Sequence, residues 1–224
     1  MDAAIRAQGL DLPGSGVEVR RFDLTVEPGE VIAIAGSPGV GKTTLLRMLS
    51  GRFPARATRL EVLGIDVQSE PRRVWENVGY LRSDQESFLG FLSARDNLRH
   101  HAAMKRLPAA TLDREVALHL QRVGLDAGTE ASPRGFEPDD RLRLAMAHAW
   151  LDDPMLLLLD DPLHEASAAA TEEFLATFEE WLDGDPNRTA VIVGRNLQVF
   201  AELCTGAFLL RERWLAPVSP HDLP

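Results

Sequence analysis

The sequence predicts an α/β fold, built as a parallel-sheet core with a small antiparallel β layer and a helical sub-lobe. Three observations carry that prediction. Short apolar runs such as Val31–Ala35 and Leu156–Leu159 have no polar alternation, the mark of strands covered on both faces. Stretches of helical period lie between those runs. A glycine-rich turn, Gly36 to Gly41, joins the first run directly to a helix.

Taken in order, Val17–Val26 carries apolar residues on both parities before Pro28-Gly29 and reads as part of the β layer. Val31–Ala35, bounded by Glu30 and Gly36, reads as a buried parallel strand. The helix expected next runs from Lys42 to about Ser50, stopped by Gly51 and Pro54. Leu60–Leu63 is a further short strand. From about Asp84 to Trp150 the sequence reads as helical, with Leu92, Leu98, Val116, Leu120, Leu142 and Met146 facing inward. Strands return at Leu156–Asp160, Thr189–Val193 and Ala207–Leu210. Between the first two of these, Phe174, Leu175, Phe178, Trp181 and Leu182 share one helical face, with Gly184 as the stop. No repeat, low-complexity tract or long linker interrupts the chain. It therefore reads as one domain, residues 1–224, with 1–82 and 151–224 forming core and β layer and 83–150 the sub-lobe.

Lysines and arginines number 24 against 34 acidic residues in 224, a net charge of −10. That balance, with no basic cluster, argues against nucleic acid as a partner. No apolar run approaches the roughly 18–20 residues that span a bilayer, and MDAAIRAQGL lacks the apolar stretch of a secretory signal. The single cysteine, Cys204, excludes an internal disulfide and fits a reducing compartment. The expected location is the cytoplasm.

The chemistry concentrates in two places. Gly36-Ser37-Pro38-Gly39-Val40-Gly41-Lys42-Thr43-Thr44 matches G-x-x-x-x-G-K-[ST] in full, with a buried strand before it and a helix opening at it. Its glycines let backbone N–H groups turn around phosphate oxygens, and the helix N-terminus adds positive potential. Lys42 is expected to reach the β- and γ-phosphates, and Thr43 to give its hydroxyl to Mg²⁺. The second place is Met155-Leu156-Leu157-Leu158-Leu159-Asp160-Asp161-Pro162, a doubly buried strand that ends in a carboxylate. Asp160 is the expected metal-side acid. With these two anchors the fold class becomes a P-loop NTPase with a RecA-like core, and the expected cofactors are ATP and Mg²⁺. There is no G-x-S-x-G elbow and no N-K-x-D stretch for guanine. His164-Glu165 and His100-His101 lack the companions of a metal site and read as solvated surface.

These residues together resemble the nucleotide-binding subunit of an ABC (ATP-binding cassette) transporter, over nearly the whole chain. Pro28–Ile34 leads into the phosphate loop as in that family, Leu63–Val67 and Val78–Leu81 resemble the stretch before its glutamine loop, and Ala145–Pro154 resembles the segment before the Walker B strand. The Val62-to-Tyr80 stretch is closest to the drug- and haem-exporter type. The resemblance implies two cassettes sandwiching two ATP molecules and driving an integral membrane transporter subunit. It implies a peripheral position on the inner face of the cell membrane. It also implies that Phe88–Leu98 borders the groove for the membrane partner, with Phe88 and Phe91 as an anchor pair.

The departures from that family are specific. Asp161 stands where the family has its catalytic glutamate, so the carboxylate sits one methylene further from an attacking water, which a general base reaches at ~2.6–3.2 Å. The glutamine position falls on Ser83, with Gln85 as a substitute through a shifted loop. The switch histidine position is Arg195, which stays charged and offers a fixed cation to a γ-phosphate. The signature motif falls on Phe136-Glu137-Pro138-Asp139-Asp140, three carboxylates where the family presents a serine and glycine amides to the other subunit's ATP. One such charge about 5 Å from a phosphate charge costs ~3 kcal/mol at an effective dielectric of 20. Asp139 is expected to be the N-cap of a helix over Arg141–Leu151. The D-loop position reads His164-Glu165-Ala166-Ser167, and no aromatic stands in Leu10–Gly14 to stack on adenine. Catalysis is therefore assigned to Asp161 and Arg195 with slow or partner-dependent turnover. The second cassette is expected to be a different chain rather than a copy. The alternative readings are a soluble ATP-binding pseudo-ATPase, acting as a nucleotide-dependent switch or scaffold, and an unrelated P-loop kinase or nucleic-acid ATPase.

Overall fold

The computed structural model describes residues 2–12, 19–82, 84, 87–126, 130–211 and 214–223. The layer expected from Val17–Val26 is a four-stranded antiparallel sheet of β1 (Ile5–Leu12), β2 (Val19–Val26), β4 (Arg59–Val62) and β5 (Ile65–Asp66), in the order β2-β1-β4-β5. The core is a six-stranded sheet of β3 (Val31–Gly36), β6 (Gly79–Leu81), β7 (Leu156–Asp160), β8 (Thr189–Val193), β9 (Gly206–Arg211) and β10 (Trp214–Val218). Its order is β10-β9-β3-β8-β7-β6, parallel except for the β10–β9 pair.

The absence of polar alternation in these strands has a direct structural cause. Val31, Ala33, Leu157, Leu159, Ala190 and Ile192 point to one side of the core sheet, into a continuous core with α5 (Pro138–Ala149) and α6 (Ala168–Asp183), on which α3 (Ala94–Met104) and α4 (Leu112–Arg122) pack through α5. Ile32, Ile34, Leu156, Leu158, Val191 and Val193 point to the other, against α1 (Lys42–Leu49) and the antiparallel sheet. Each strand feeds two cores, so alternate residues have the same need for apolar surroundings. On the first side the face of α6 read from sequence becomes an aromatic cluster: Phe178 stacks with Phe174 and Trp181 and meets the edge of Phe200.

Several elements depart from the expectation. The helical stretch after residue 84 is three helices, α3 to α5, broken by turns and by a short 3₁₀ segment at Pro133–Gly135. Strand β1 was not expected, because its alternation is interrupted: Gly9 has φ +58° and the register with β2 shifts between Ala7 and Leu10. The helix α2 (Pro71–Asn77) and the strands β5 and β6 are too short to leave a period, and β10 is an edge strand with no buried residue to give an apolar run. Ser83 and Gln85, the glutamine-loop positions, and Pro13–Gly14 of the adenine stretch lie outside the described residues.

Candidate functional site

The parallel strands deliver their C-terminal ends to one edge of the sheet, where an open α/β sheet collects its ligands. Gly36 ends β3, Leu81 ends β6, Asp160 ends β7 and Val193 ends β8, with Leu81 paired to Leu159 and Asp160 to Val193. Gly36-to-Gly41 leaves β3 and enters α1. Gly39 and Gly41 have φ +79° and +109°, in the left-handed region where a side chain is strained. A Cβ on Gly36 would come 2.6 Å from the Leu210 carbonyl oxygen of β9, so only glycine fits against the neighbouring strand. Lys42 folds back on the loop, donating to the carbonyls of Gly36 at 2.5 Å and Ser37 at 3.1 Å. Burial pulls its ammonium below the usual lysine value, opposed by the carboxylates of Asp161 and Asp160, while the cation of Arg195 adds to the lowering. Those four groups therefore share one electrostatic neighbourhood.

Thr43 Oγ1 donates to Asp160 Oδ1 at 2.9 Å, joining α1 to the end of β7. The other carboxylate oxygen accepts from Tyr80 Oη, also at 2.9 Å, and lies 4.0 Å from Arg82 Nε. Asp160 is buried, and desolvation raises its pKa, while the hydroxyls of Thr43 and Tyr80 hold it back. Thr43 Oγ1 and Asp160 Oδ1 are hard oxygen donors that fit Mg²⁺, an ion that takes one or two protein oxygens and completes its shell with phosphate and water. The described residues contain no group of three His, Cys, Asp or Glu able to hold a metal alone. Tyr80 and Arg82 carried no sequence signal for a role. They reach Asp160 only because the three-residue strand β6 pairs beside β7.

The expected catalytic pair is in contact with itself. Asp161, in the left-handed region at φ +49°, accepts from Arg195 twice: from the backbone N at 3.3 Å and from Nε at 3.1 Å. Arg195 Nη2 also meets the His164 ring, 2.5 Å from Nδ1 and 3.3 Å from Nε2. His164 is an exposed residue, as expected from the sequence, and the turn after β7 also brings its ring against Arg195. Glu165 faces Arg141 of α5 at 3.4 Å.

Asp139 is not a helix N-cap. Glu137 holds that place with Pro138 at the first helical position, and the Asp139 carboxylate reaches across to Ser167, accepting from its N at 2.9 Å and its Oγ at 2.6 Å. Those two bonds, the hydroxyl first, hold Asp139 below the usual aspartate value. Ser167 itself caps α6, so the start of α5 is tied to the start of α6. The pair Phe88 and Phe91 is split: Phe91 is 77% exposed, whereas Phe88 is buried with its ring edge on His148. His100 is exposed as expected, whereas His101 is half-buried and stacks on His148 at 4.7 Å, and burial pushes the imidazoles of His101 and His148 down, His148 to about 3.

The sequence model of the family described as “ABC transporter” matches residues 19–164, well over half of the chain. The chain belongs to the ABC transporter family. Two ABC relatives frame it. The uncharacterized ABC transporter ATP-binding protein YdbJ of Bacillus subtilis (strain 168) is 28% identical over 93% of this chain and 66% of that protein. The molybdenum import ATP-binding protein ModC of Aromatoleum aromaticum (strain DSM 19018 / LMG 30748 / EbN1) is 33% identical over 94% of this chain and 56% of that protein. The chain therefore spans less than two thirds of the length of either relative. A solved structure of cbiO1 from Clostridium perfringens, described as part of the ABC transporter complex cbiONQ, covers 99% of this chain and 90% of its own. Its TM-score is 0.79 at 19% identity, a likeness of ABC fold. The α/β P-loop architecture expected from the sequence is the fold observed.

Proposed function

We propose that this chain is the MgATP-binding subunit of an ABC transporter, with weak hydrolysis of its own, acting on an integral membrane partner alongside a second, different cassette. One observation supports this reading above the others: an intact phosphate loop with Thr43 and Asp160 in contact stands beside a base position, Asp161, already occupied by Arg195. In this reading Gly36–Thr44 wraps the phosphates, Lys42 leaves its loop carbonyls for phosphate oxygens, and Thr43 and Asp160 hold Mg²⁺. When bound, the metal neutralises phosphate charge. Asp161 orients water poorly, because it is short by a methylene and its charge is spent on a guanidinium. Glu137, Asp139 and Asp140 make this chain a poor signature donor to the partner's ATP, which favours a partner with its own complete set.

The segments 1–82 with 151–224, and 83–150, are proposed as the core and the moving sub-lobe. No helix among the described residues is long and apolar enough to cross a membrane, so membrane attachment in this reading is peripheral and runs through the partner. The exporter flavour of Val62–Tyr80 is the finer part of the proposal, and vesicle transport by the assembled complex tests its direction. The reading is tested by MgATP binding to purified chain and by pulldown from solubilised membranes. A thermal shift abolished by Lys42→Ala, with a co-purifying membrane protein and second cassette, is the expected result. Binding with only soluble partners moves the assignment to a nucleotide-dependent pseudo-ATPase switch, and no binding overturns both.

A further inference from the structure

Asp160 ends β7 with its two carboxylate oxygens facing different surroundings. Oδ1 turns to the phosphate loop and accepts from Thr43 Oγ1 at 2.9 Å. Oδ2 turns to the end of β6, where it accepts from Tyr80 Oη at 2.9 Å and lies 4.0 Å from Arg82 Nε. Two contacts keep Tyr80 in place. Its backbone pairs with Leu158 of β7, and the Arg52 guanidinium covers its ring at 4.6 Å. Arg82 is steadied by its own ion pair with Asp84. Asp160 is buried, so turning Oδ2 away from these donors would leave a desolvated oxygen without a partner.

This arrangement limits how many oxygens the chain can give a cation. Sharing both oxygens of Asp160 would strip Oδ2 of its phenol donor and set the cation against the Arg82 guanidinium. What remains is one carboxylate oxygen and the Thr43 hydroxyl. Mg²⁺ is small and octahedral, and it fills most of its shell with phosphate and water. Ca²⁺ is larger, takes roughly six to eight oxygens and readily uses both oxygens of a carboxylate. We infer that Tyr80 is a specificity-determining residue: by holding Asp160 Oδ2, with Arg82 beside it, it confines the carboxylate to one metal-facing oxygen and sets the site for Mg²⁺ over Ca²⁺. Tyr80 acts through Asp160 and is a positioning residue. This inference rests on the MgATP reading above and names the residue that selects its cation.

The test measures ATP affinity by calorimetry at saturating Mg²⁺, at saturating Ca²⁺ and in chelator, for wild type, Tyr80→Phe and Arg82→Ala. Wild type is expected to bind ATP more tightly with Mg²⁺ than with Ca²⁺. Tyr80→Phe keeps the ring under Arg52 and removes only the hydroxyl. It should lower the Mg²⁺-to-Ca²⁺ affinity ratio several-fold, by strengthening the Ca²⁺ form, with affinity in chelator unchanged. Arg82→Ala, at a partly exposed position that tolerates truncation, takes the cation from the same oxygen and should move the ratio the same way by less. The ratio is the deciding readout, because a variant that only loosens the site weakens both metal forms alike. A ratio unmoved in Tyr80→Phe, or a wild type that does not distinguish the two ions, overturns the inference while leaving ATP binding standing. Wild-type protein that binds ATP with neither ion overturns the functional reading itself.

Discussion

The loop between β3 and α1 and the turn after β7 face the same sheet edge, yet one is spelled as a working nucleotide grip and the other is not. In the grip, each residue type matches the chemistry of a phosphate: left-handed glycines, an ammonium, a hydroxyl and a buried carboxylate. On the turn, Asp161, His164 and Ser167 are engaged with Arg195 and Asp139, residues that carry charge where phosphate chemistry would want a base or a bare amide. In the proposed reading, that difference makes binding and turnover separable. A chain can keep the geometry that holds MgATP while its catalytic and partner-facing groups satisfy one another.

Breaking the grip should have the largest effect. Lys42→Ala removes a charge-assisted contact worth about 1.5–3 kcal/mol, so MgATP affinity should fall by roughly ten- to a hundredfold in calorimetry. Asp160→Asn should abolish the Mg²⁺-dependent part of nucleotide affinity, about tenfold, without unfolding the chain. The amide still accepts from Tyr80 or Thr43, and the desolvated charge is gone. Sharpening the other side is a smaller change. Asp161→Glu should raise steady-state ATPase of the assembled complex several-fold by restoring reach, and combining it with Arg195→His should raise it further by releasing the carboxylate.

The turn's second tie predicts a stability effect. Asp139→Asn or Ser167→Ala should lower stability by about 0.5–1 kcal/mol at pH 7, as expected for a largely exposed hydrogen-bonded pair. Because Asp139 is held below the ordinary aspartate value of 3.8, the stability it adds is present above that pH. It is lost as pH falls through the lower folded value. Urea midpoints of wild type and Asp139→Asn should therefore converge as pH falls through that lowered value.

Legibility in the sequence follows the same division. The parallel strands could be read because each lies between two cores, which forces unbroken apolar runs, and the phosphate loop because its chemistry needs fixed types at fixed spacing. Tyr80 and Arg82 could not be read, since their approach to Asp160 depends on strand order rather than chain distance. The contact of the exposed His164 with Arg195 could not be read because the two lie 31 residues apart, on different strand ends. Asp139 misled for a related reason. An aspartate just before a helical run normally caps that helix, but Pro138 already starts α5, and the carboxylate is freed to bind Ser167 instead.

The central claim is that the site grips MgATP while its base is held by Arg195. It is tested most directly by single-turnover hydrolysis of pre-bound MgATP in wild type and in Asp161→Glu/Arg195→His, with bound and released phosphate quantified in the same samples. The account predicts equal nucleotide occupancy in the two proteins, with hydrolysis at least about tenfold faster in the double variant. Equal occupancy with unchanged or slower hydrolysis would contradict it, placing the barrier outside the Asp161–Arg195 pair.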